Sequence, residues 1–313
     1  MTAGLGAISR RSGSSRHKAE PLPRSPDNRA SGDVDTSSGS AERSRSLRAA
    51  ISTPEGKQRY VRRLFATIAD RYDFITQFLS FGQDRRWKRR LVRLAQIGGS
   101  DRVLDLACGT GDILFEALRY HPAGAIGLDL TFRMIQLADS RRRDLDADPS
   151  LPDSTSDARP TPNNSRPSLV HPGFLVGDML ALPFRAGGFD VVTTGYGLRN
   201  VPHLQVAIRE IHRVLAPGGR LLSLDFNRPG NRALRAAYLA YLTIVGSLLG
   251  LALHRDPDTY RYIPESIRNY PGAEGVARLL EADGFEDVRV IHVLFGLMAI
   301  HVARKAVTAN PSR

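Results

Sequence analysis

The feature that most constrains this chain is an alternation of short, continuously apolar segments with longer amphipathic ones. The apolar segments between residues 102 and 226 predict successive strands in RVLDLA, AIGLDL, GFLVGD, FDVVTT and RLLSLDF. Amphipathic helices are predicted in DILFEALRYH, TFRMIQLADSRRR and LQVAIREIHRVL, which lie between them. Strands that are apolar throughout are buried on both faces, as in parallel sheets covered by helices. The sequence therefore predicts an α/β fold with a doubly wound, mostly parallel sheet, and FEDVRVIHVLFGLMAIHVAR predicts an antiparallel pair at its C-terminal edge.

The ends of the chain and one internal stretch differ in composition from the rest. Residues 1–52 are rich in Ser, Arg, Gly and Pro, and they cannot offset the entropy lost on ordering. We predict a disordered basic tail there, one folded domain over 53–306 and a short disordered tail over 307–313. The low-complexity run at 146–168 predicts a surface-loop insertion. The first nineteen residues contain no acid, so an organellar transit peptide is the alternative interpretation of the N-terminal tail.

The charge of the chain favours an anionic partner. Its 313 residues carry a formal net charge of +12, and the pI is about 10.4. Nucleic acid, lipid headgroups and an acidic ligand all match that charge, so charge alone does not choose among them. The single cysteine, Cys108, excludes an intrachain disulfide, and the expected location is the cytoplasm, or the mitochondrial matrix if the tail is a transit peptide. The scattered histidines predict no metal site.

Residues at three strand ends predict a nucleoside site. After the first strand, Gly109 and Gly111 allow a tight turn close to a ligand, before a helix with free N–H groups. The second strand ends in Asp129, whose carboxylate can accept hydrogen bonds from both hydroxyls of a ribose. After the third strand, Asp178 and Met179 suit an adenine, which donates from its amino group and packs on a soft side chain.

Leu114 argues against a dinucleotide at this site. A dinucleotide-binding fingerprint has a small third residue at that position, which allows close packing of helix on strand. A nicotinamide cofactor is therefore disfavoured, and the strand ends describe a nucleoside without a diphosphate. A simpler alternative for Asp129 and Asp178 is that each caps a following turn or helix.

The motifs at these strand ends resemble a known family. VLDLACGTGD, GLDL, GDMLALPF, GFDVVTTGYGLRNV and LAPGGRLLSLDF look like the successive motifs of class I S-adenosylmethionine-dependent methyltransferases, whose fold is Rossmann-like. FATIADRYDFITQFLSFGQDRRWKRR, YGLRNV and YRYIPESIRNYP are similar to the ubiquinone and menaquinone biosynthesis C-methyltransferases, and are more specific than the glycine loop. The resemblance spans about Leu64 to Lys305. The chain departs from the family in its long N-terminal tail, in the 146–168 insertion and in Cys108, a position that is often Gly.

The resemblance implies S-adenosylmethionine as the cofactor. It places Thr110 and its neighbouring glycines on the methionine part, Asp129 on the ribose, and Gly195 beneath the cofactor near the sulfonium. It also places Asp178 and Met179 on the adenine. The implied cofactor-binding residues are Asp105, Gly109, Thr110, Gly111, Asp129, Asp178, Met179 and Gly195.

The resemblance further implies a prenylated quinol as the substrate, foremost demethylmenaquinol, with the equivalent ubiquinone-pathway step as the alternative. The acceptor is a ring carbon, which is a poor nucleophile until a neighbouring hydroxyl loses its proton, so an aryl oxyanion has to be stabilised. We expect Arg199, Asn200 and Tyr72 to be catalytic, with an oriented water as the base because a guanidinium retains its own proton. The alternative is that Arg199 and Asn200 cap the helix near His203 and that Tyr72 packs in the core.

Two stretches suggest contact with lipid. Ala236–Leu253 contains no charge for eighteen residues, which meets the lower length for a membrane span. We interpret it as a helical lid over an apolar channel for the prenyl tail, with a buried core helix and a true membrane span as alternatives. Asp84–Arg90, DRRWKRR, places a Trp among cations, so its helix could rest on anionic headgroups or form a solvated face.

Two other classes of function remain as alternatives. The basic charge would suit a nucleic-acid methyltransferase. Enzymes that methylate exocyclic nitrogens present an Asn or Asp followed by two prolines and an aromatic after the fourth strand, whereas this chain has GYGLRN. A non-catalytic S-adenosylmethionine-binding scaffold is the second alternative. The expected partners are a prenylated quinol and, peripherally, a membrane surface, without nucleic acid, and a homodimer is left open.

Overall fold

The computed structural model describes residues 45–147 and 170–307. Its helices are α1 (Pro54–Ile68), α2 (Tyr72–Leu79), α3 (Asp84–Ala95), α4 (Asp112–Leu118), α5 (Phe132–Asp146), α6 (Leu204–Val214), α7 (Arg232–His254), α8 (Tyr262–Asn269) and α9 (Gly272–Ala282). Its strands are β1 (Arg102–Leu106), β2 (Gly124–Asp129), β3 (Gly173–Val176), β4 (Phe189–Gly195), β5 (Leu215–Phe226), β6 (Phe285–Val293) and β7 (Met298–Lys305). Short 3-10 turns lie at Ala69–Arg71, Leu198–Asn200 and Leu294–Gly296.

The strands form one seven-stranded sheet in the order β3-β2-β1-β4-β5-β7-β6. The first five strands in this order are parallel, and β7 pairs antiparallel with both β5 and β6. The predicted α/β fold with a C-terminal antiparallel pair is confirmed. Because β1 lies between β2 and β4, the loops that follow these three strands meet at one edge of the sheet, where ligands of such folds bind.

Both faces of the sheet are covered, as the continuously apolar strands predict. Successive residues of β1 point to opposite faces: Val103 packs in a cluster with α3 and α4, and Leu104 packs in a cluster with α6 and α9. Both side chains are fully buried. The exception is the edge strand β3, where Leu175 and Val176 are 41% and 47% exposed because no further strand or helix covers them completely.

A separate helical layer covers the carboxyl edge of the sheet. Helices α1, α2, α7 and α8 pack together around a third apolar cluster, whose fully buried members include Tyr260 and Tyr262. Helix α1 begins at a Pro and is capped by Thr53, whose hydroxyl accepts the N–H of Gly56 at 3.1 Å. The sequence pattern did not predict this layer as a unit, and it provides half of the site described below.

The predicted tails and insertion fall mostly outside the described residues, namely over 1–44, 148–168 and 308–313. Residues 45–50, within the predicted N-terminal tail, are helical, and Arg48 pairs with Glu265 of α8 at 3.0 Å. Helix α5 continues through Asp146, the first residue of the predicted insertion.

The two stretches that suggested lipid contact are both helical, within α7 and α3. Helix α7 is long and apolar enough to cross a membrane. Its apolar window has a mean hydropathy of 1.9, and only 22% of that window is buried inside the protein. The buried-core interpretation of α7 is therefore wrong. In α3 the aromatic ring of Trp87 points inward and is 6% exposed, whereas Arg85, Arg86 and Arg90 are exposed.

Candidate active site

Two adjacent cavities lie between the strand ends and the helical layer. Cavity 1 has a volume of about 680 Å³ and is lined by residues that follow β1, β2 and β4, together with residues of α1. Cavity 2 has a volume of about 660 Å³ and is lined mainly by α1, α2 and α8. Their walls share Phe65, Tyr72 and Tyr196.

Cavity 1 brings together most of the predicted cofactor-binding residues. Its wall contains Gly109, Asp129, Asp178, Met179 and Gly195. The wall does not contain Asp105, Thr110 or Gly111. The predicted nucleoside site therefore exists as a cavity, and the roles of individual residues toward a cofactor stay predictions.

The loop after β1 is a tight turn held by glycine and by a contact from α2. Gly111 begins α4 with a φ of +88°, a left-handed conformation in which a side chain would be strained. The Thr110 hydroxyl, 8% exposed, donates to Asp73 Oδ1 at 2.8 Å. This contact ties the glycine loop to the RYD segment that the sequence analysis singled out.

Asp129 orders the loops and also faces cavity 1. Its Oδ2 accepts the N–H of Gly109 at 2.9 Å, and its Oδ1 accepts the N–H of Thr131 at 2.8 Å. Asp129 therefore caps the following turn, as the capping alternative predicts. Because a carboxylate has about four lone-pair sites, each oxygen keeps one for a second donor such as a ribose hydroxyl. Burial raises the pKa of Asp129, and these N–H donors oppose the shift.

Asp178 lies opposite α1. Its Oδ1 accepts the N–H of Leu180 at 2.9 Å, which caps the following turn, and its Oδ2 accepts the Gln58 amide at 2.5 Å. Gln58 also lines cavity 1, and the sequence analysis did not identify it. Its position on a helix far upstream of the strand ends left no local signal.

Asp105 is a buried carboxylate in which only one oxygen is hydrogen-bonded. Its Oδ1 accepts the Thr193 hydroxyl at 2.7 Å, and its Oδ2 is buried without a hydrogen-bond partner. Burial raises the pKa of Asp105 to about 7. An unpartnered buried acceptor at the end of β1 is suited to a cationic group.

Two residues that follow neighbouring strands share an uncommon backbone conformation. Ala107, directly after β1, and Tyr196, directly after β4, have φ values of 51° and 60°. Left-handed conformations cost a non-glycine residue free energy and tend to occur at functional sites. Both residues line cavity 1, so this strain is stored in its wall.

Cavity 2 is largely apolar and contains one permanent cation in its wall, Arg199. The guanidinium is 6% exposed, and its Nε lies 3.1 Å from Oδ1 of Asp225, which is 1% exposed. Nη1 donates to Asn200 Oδ1 at 2.9 Å and to Ser266 Oγ at 3.0 Å, and the group stacks over the Phe226 ring at 4.8 Å. Nη2 has no hydrogen bond to a described residue.

The buried partner of Arg199 was missed by the sequence analysis. Asp225 ends β5 in the motif SLDF, which is the same strand-end signal that identified Asp129. Its Oδ2 accepts the N–H of Arg199 at 3.1 Å. Burial raises the pKa of Asp225, and the Arg199 charge opposes that shift.

Lys57 of α1 supports the same turn from the other side. Its Nζ donates to the carbonyl oxygens of Arg199 at 3.0 Å and Val201 at 2.7 Å, which flank Asn200. Desolvation, followed by repulsion from Arg199, lowers the pKa of Lys57 to about 8. The side chain does not line either cavity, so it positions the turn rather than contacting a ligand.

A buried charge network lies against the aromatic wall that the cavities share. The Tyr196 hydroxyl donates to Asp84 Oδ1 at 2.6 Å, and Lys88 Nζ lies 2.7 Å from the other carboxylate oxygen of Asp84. Lys88 also pairs with Asp112 at 2.9 Å. Burial opposes the charge of Lys88, but the two carboxylates raise its pKa above the usual value. The i,i+4 spacing of Asp84 and Lys88 in DRRWKRR was visible in the sequence, but it does not distinguish a buried pair from an exposed one.

The structure rules out the capping alternative for Arg199 and Asn200, whereas the catalytic roles of Arg199, Asn200 and Tyr72 stay predictions. Helix α6 begins at Leu204 without a side-chain cap, so Arg199 and Asn200 do not cap it. Asn200 instead lines cavity 1 and donates to the carbonyl oxygen of Tyr196 at 2.7 Å. Tyr72 lines both cavities, and its hydroxyl makes no hydrogen bond within residues 45–147 and 170–307, so it is available to a ligand.

The residues of cavity 1 fit S-adenosylmethionine by their chemistry. Asp129 keeps acceptor sites for ribose hydroxyls, and Met179 presents a soft side chain on which an adenine can pack. Gly195 lines the cavity, and a Cβ there would lie 2.7 Å from the tip of the Ile113 side chain, which would have to shift. No group of three or more metal-ligating side chains occurs in the part of the chain that the structure describes.

The sheet order and the helices on both of its faces give the fold of class I S-adenosylmethionine-dependent methyltransferases. A solved structure of an S-adenosylmethionine-dependent methyltransferase from Thermotoga maritima has the same fold, with a TM-score of 0.51 at 16% identity over 78% of this chain and 99% of that one.

Comparison of sequences gives the family. The family model described as ubiE/COQ5 methyltransferase matches residues 53–150 and 161–305, and the chain belongs to this family. It is 38% identical to the demethylmenaquinone methyltransferase of Thermus thermophilus over 76% of this chain and 98% of that protein. It is 36% identical to the ubiquinone/menaquinone biosynthesis C-methyltransferase UbiE of Rubrivivax gelatinosus, over 84% of this chain and 93% of that protein.

Proposed function

We propose that this protein transfers a methyl group from S-adenosylmethionine to a ring carbon of a prenylated quinol, converting demethylmenaquinol to menaquinol. The named relatives support the reaction class, and their names cover both menaquinone and ubiquinone synthesis. The observation that carries the proposal is a buried guanidinium, Arg199, in the wall of an apolar cavity that adjoins the cavity for the cofactor.

Cavity 1 is the proposed cofactor site. In this arrangement Asp129 holds the ribose, Asp178 and Met179 contact the adenine, and Gly195 leaves room beneath the reacting group. S-adenosylmethionine supplies an electrophilic methyl group when bound. Asp105 does not line cavity 1, and its role toward the methionine part stays a prediction from the family resemblance.

Cavity 2 is the proposed quinol site. Arg199 faces the ring oxygen that loses its proton, and its Nη2 is available to stabilise the oxyanion. Asp225 and Ser266 fix the guanidinium so that it does not have to reorganise during the reaction. The apolar walls exclude bulk water, which strengthens that electrostatic interaction. A guanidinium keeps its proton, so the acceptor is a water held by Arg199.

The test is a methyl-transfer assay with labelled S-adenosylmethionine on membranes that lack either the menaquinone or the ubiquinone methylation step. Wild type is compared with Arg199→Ala and with a matched control, Arg102→Ala, which removes a cation that pairs with Asp190 at the start of β1. We expect label in the menaquinone fraction, lost in Arg199→Ala and kept in Arg102→Ala, while cofactor binding persists in all three.

Other outcomes would identify the alternatives. Label in ubiquinone alone would move the substrate to that pathway. A protein that binds the cofactor but labels no lipid would be a scaffold or would act on nucleic acid, which would be the next acceptor tried. The cytoplasm, or the mitochondrial matrix if residues 1–52 are a transit peptide, stays the predicted location.

A further inference from the structure

The helix that separates cavity 2 from the exterior is apolar on its outer face as well. In α2, Ile75 and Leu79 point into cavity 2, whereas Phe74 and Phe78 are 55% and 50% exposed. Phe81 follows the helix, is 62% exposed and stacks on Tyr241 of α7 with ring centroids 5.4 Å apart. Soluble proteins rarely expose several phenylalanines together without a binding partner.

Helix α7 continues this apolar surface. Its exposed side chains between residues 236 and 252 are all apolar, namely Ala236, Ala237, Ala240, Ile244, Leu248, Leu251 and Ala252. Ile244 and Leu248 are 61% and 62% exposed. A surface helix of a soluble domain carries polar residues on its outer face, so this face of α7 lacks the partner that its composition requires.

A third element joins the same surface. Phe295 lies at the tip of the Leu294–Gly296 turn and is 92% exposed, with a φ of 53°. Leu294 lines cavity 2 and also an outer groove that contains Phe81. We call this surface the apolar outer face and define it by Phe74, Phe78, Phe81, Ile244, Leu248, Leu251 and Phe295.

Cations border the apolar outer face. The groove that contains Phe81 also contains Arg86, Arg90 and Arg93, which are exposed and form no ion pair with any residue in the two described ranges. Helix α7 contains no acidic residue and is followed by Arg255. An apolar face bordered by unpaired arginines matches the acyl chains and the anionic headgroups of a bilayer.

We propose that the apolar outer face docks on an anionic lipid bilayer, with its phenylalanines among the acyl chains and Arg86, Arg90 and Arg93 at the headgroups. Docking in this orientation brings against the lipid the elements that line this side of cavity 2, namely α2, Tyr238 of α7 and Leu294. The inference rests on the proposed function for the identity of the lipid substrate, since a prenylated quinol resides in the bilayer. Trp87, which the sequence placed at the headgroups, instead forms part of the cavity wall.

The test is flotation of the full chain with phosphatidylcholine vesicles, with and without phosphatidylglycerol. Phe78→Ser combined with Leu248→Ser is compared with a matched control, Leu145→Ser combined with Val206→Ser, which changes exposed apolar residues on α5 and α6. We expect binding to fall about tenfold or more in the first variant and to stay unchanged in the control. Arg86→Gln and Arg90→Gln should each weaken binding about fivefold, on anionic vesicles only.

Methyl transfer to a short-chain, water-soluble quinol analogue separates this proposal from the proposed function. Full activity on the analogue by Phe78→Ser/Leu248→Ser, with vesicle binding lost, supports docking. Equal vesicle binding by the wild type and both variants overturns it. Absence of vesicle binding, with self-association in sedimentation that Phe78→Ser/Leu248→Ser abolishes, would assign the face to a second copy of the chain. Normal docking without activity on the analogue would instead overturn the proposed function alone.

Discussion

Arg199 and Asp225 form an ion pair that is almost completely removed from water, with 3.1 Å between Nε and Oδ1. Asp225 also accepts the backbone N–H of Arg199, so one carboxylate orients both the charge and the turn that carries it. Removing one partner of such a pair leaves an uncompensated buried charge, which costs more than the pair contributes.

Asp225→Asn should therefore lower the free energy of unfolding by about 3 kcal/mol or more. It should also reduce kcat, because the guanidinium loses the group that fixes its orientation, while S-adenosylmethionine affinity stays within about twofold of wild type. Urea unfolding and a binding titration measure the two effects. The control is Asp146→Asn, which removes the partner of a more exposed pair with Arg142 and should cost less than about 1 kcal/mol. Equal losses in the two variants would contradict this account of the Arg199 pair.

Asp129→Asn should weaken S-adenosylmethionine binding by about tenfold to a hundredfold, as expected for loss of hydrogen bonds to a charged group. The NH₂ of the new amide also faces one of the two backbone N–H groups that donate to the carboxylate in the wild type. The free energy of unfolding should therefore fall as well. Asp190→Asn is the matched control, since Asp190 likewise accepts a backbone N–H and pairs with Arg102, but outside both cavities. Calorimetric titration should show a normal Kd for the control, and a similar loss in both variants would argue that the effect is only structural.

Tyr196→Phe should destabilise the protein by about 1–3 kcal/mol, because it leaves a buried oxygen of Asp84 without its donor. The ring itself is retained, so the shape of both cavities should change little. We expect slower methyl transfer with nearly normal binding of S-adenosylmethionine. Tyr120→Phe provides the comparison, because its hydroxyl has no partner in the described ranges, and thermal unfolding should show less than about 0.5 kcal/mol of change.

The pH dependence of stability should contain a contribution from Asp105. Its pKa rises from the ordinary 3.8 to about 7 on folding, so between these values the folded state keeps a proton that the unfolded state has lost. Stability should therefore fall as pH rises through this window. Asp105→Asn lacks this contribution. Between pH 5 and pH 7.5 its free energy of unfolding should therefore fall less than that of the wild type. Parallel pH profiles for the two proteins would show that Asp105 does not titrate in this range.

The strand ends show how far the sequence determines the site. Asp129 and Asp178 could be predicted because a parallel sheet brings successive carboxyl ends to one edge, whatever lies above them, whereas Gly195 was placed there only by the family resemblance. Their position depends on the periodicity of the strands, which is a local property of the sequence.

The helical layer could not be predicted in the same way. Lys57, Gln58 and Asp84 reach the site from helices upstream of the sheet, and nothing in their local sequence indicates which strand end they approach. The exposure of α7 was likewise unpredictable, because an uncharged helix has the same composition whether it packs in a core or meets a bilayer.

Among the residues that the structure describes, the walls of the two cavities share Phe65, Tyr72 and Tyr196. A single molecule with a nucleoside at one end, an aromatic linker and an isoprenoid at the other could therefore occupy both cavities at once. Joining the two halves makes the second binding event intramolecular, so its affinity would benefit from a high effective concentration. The shared aromatic wall thus sets the linker length for a bisubstrate inhibitor of this enzyme.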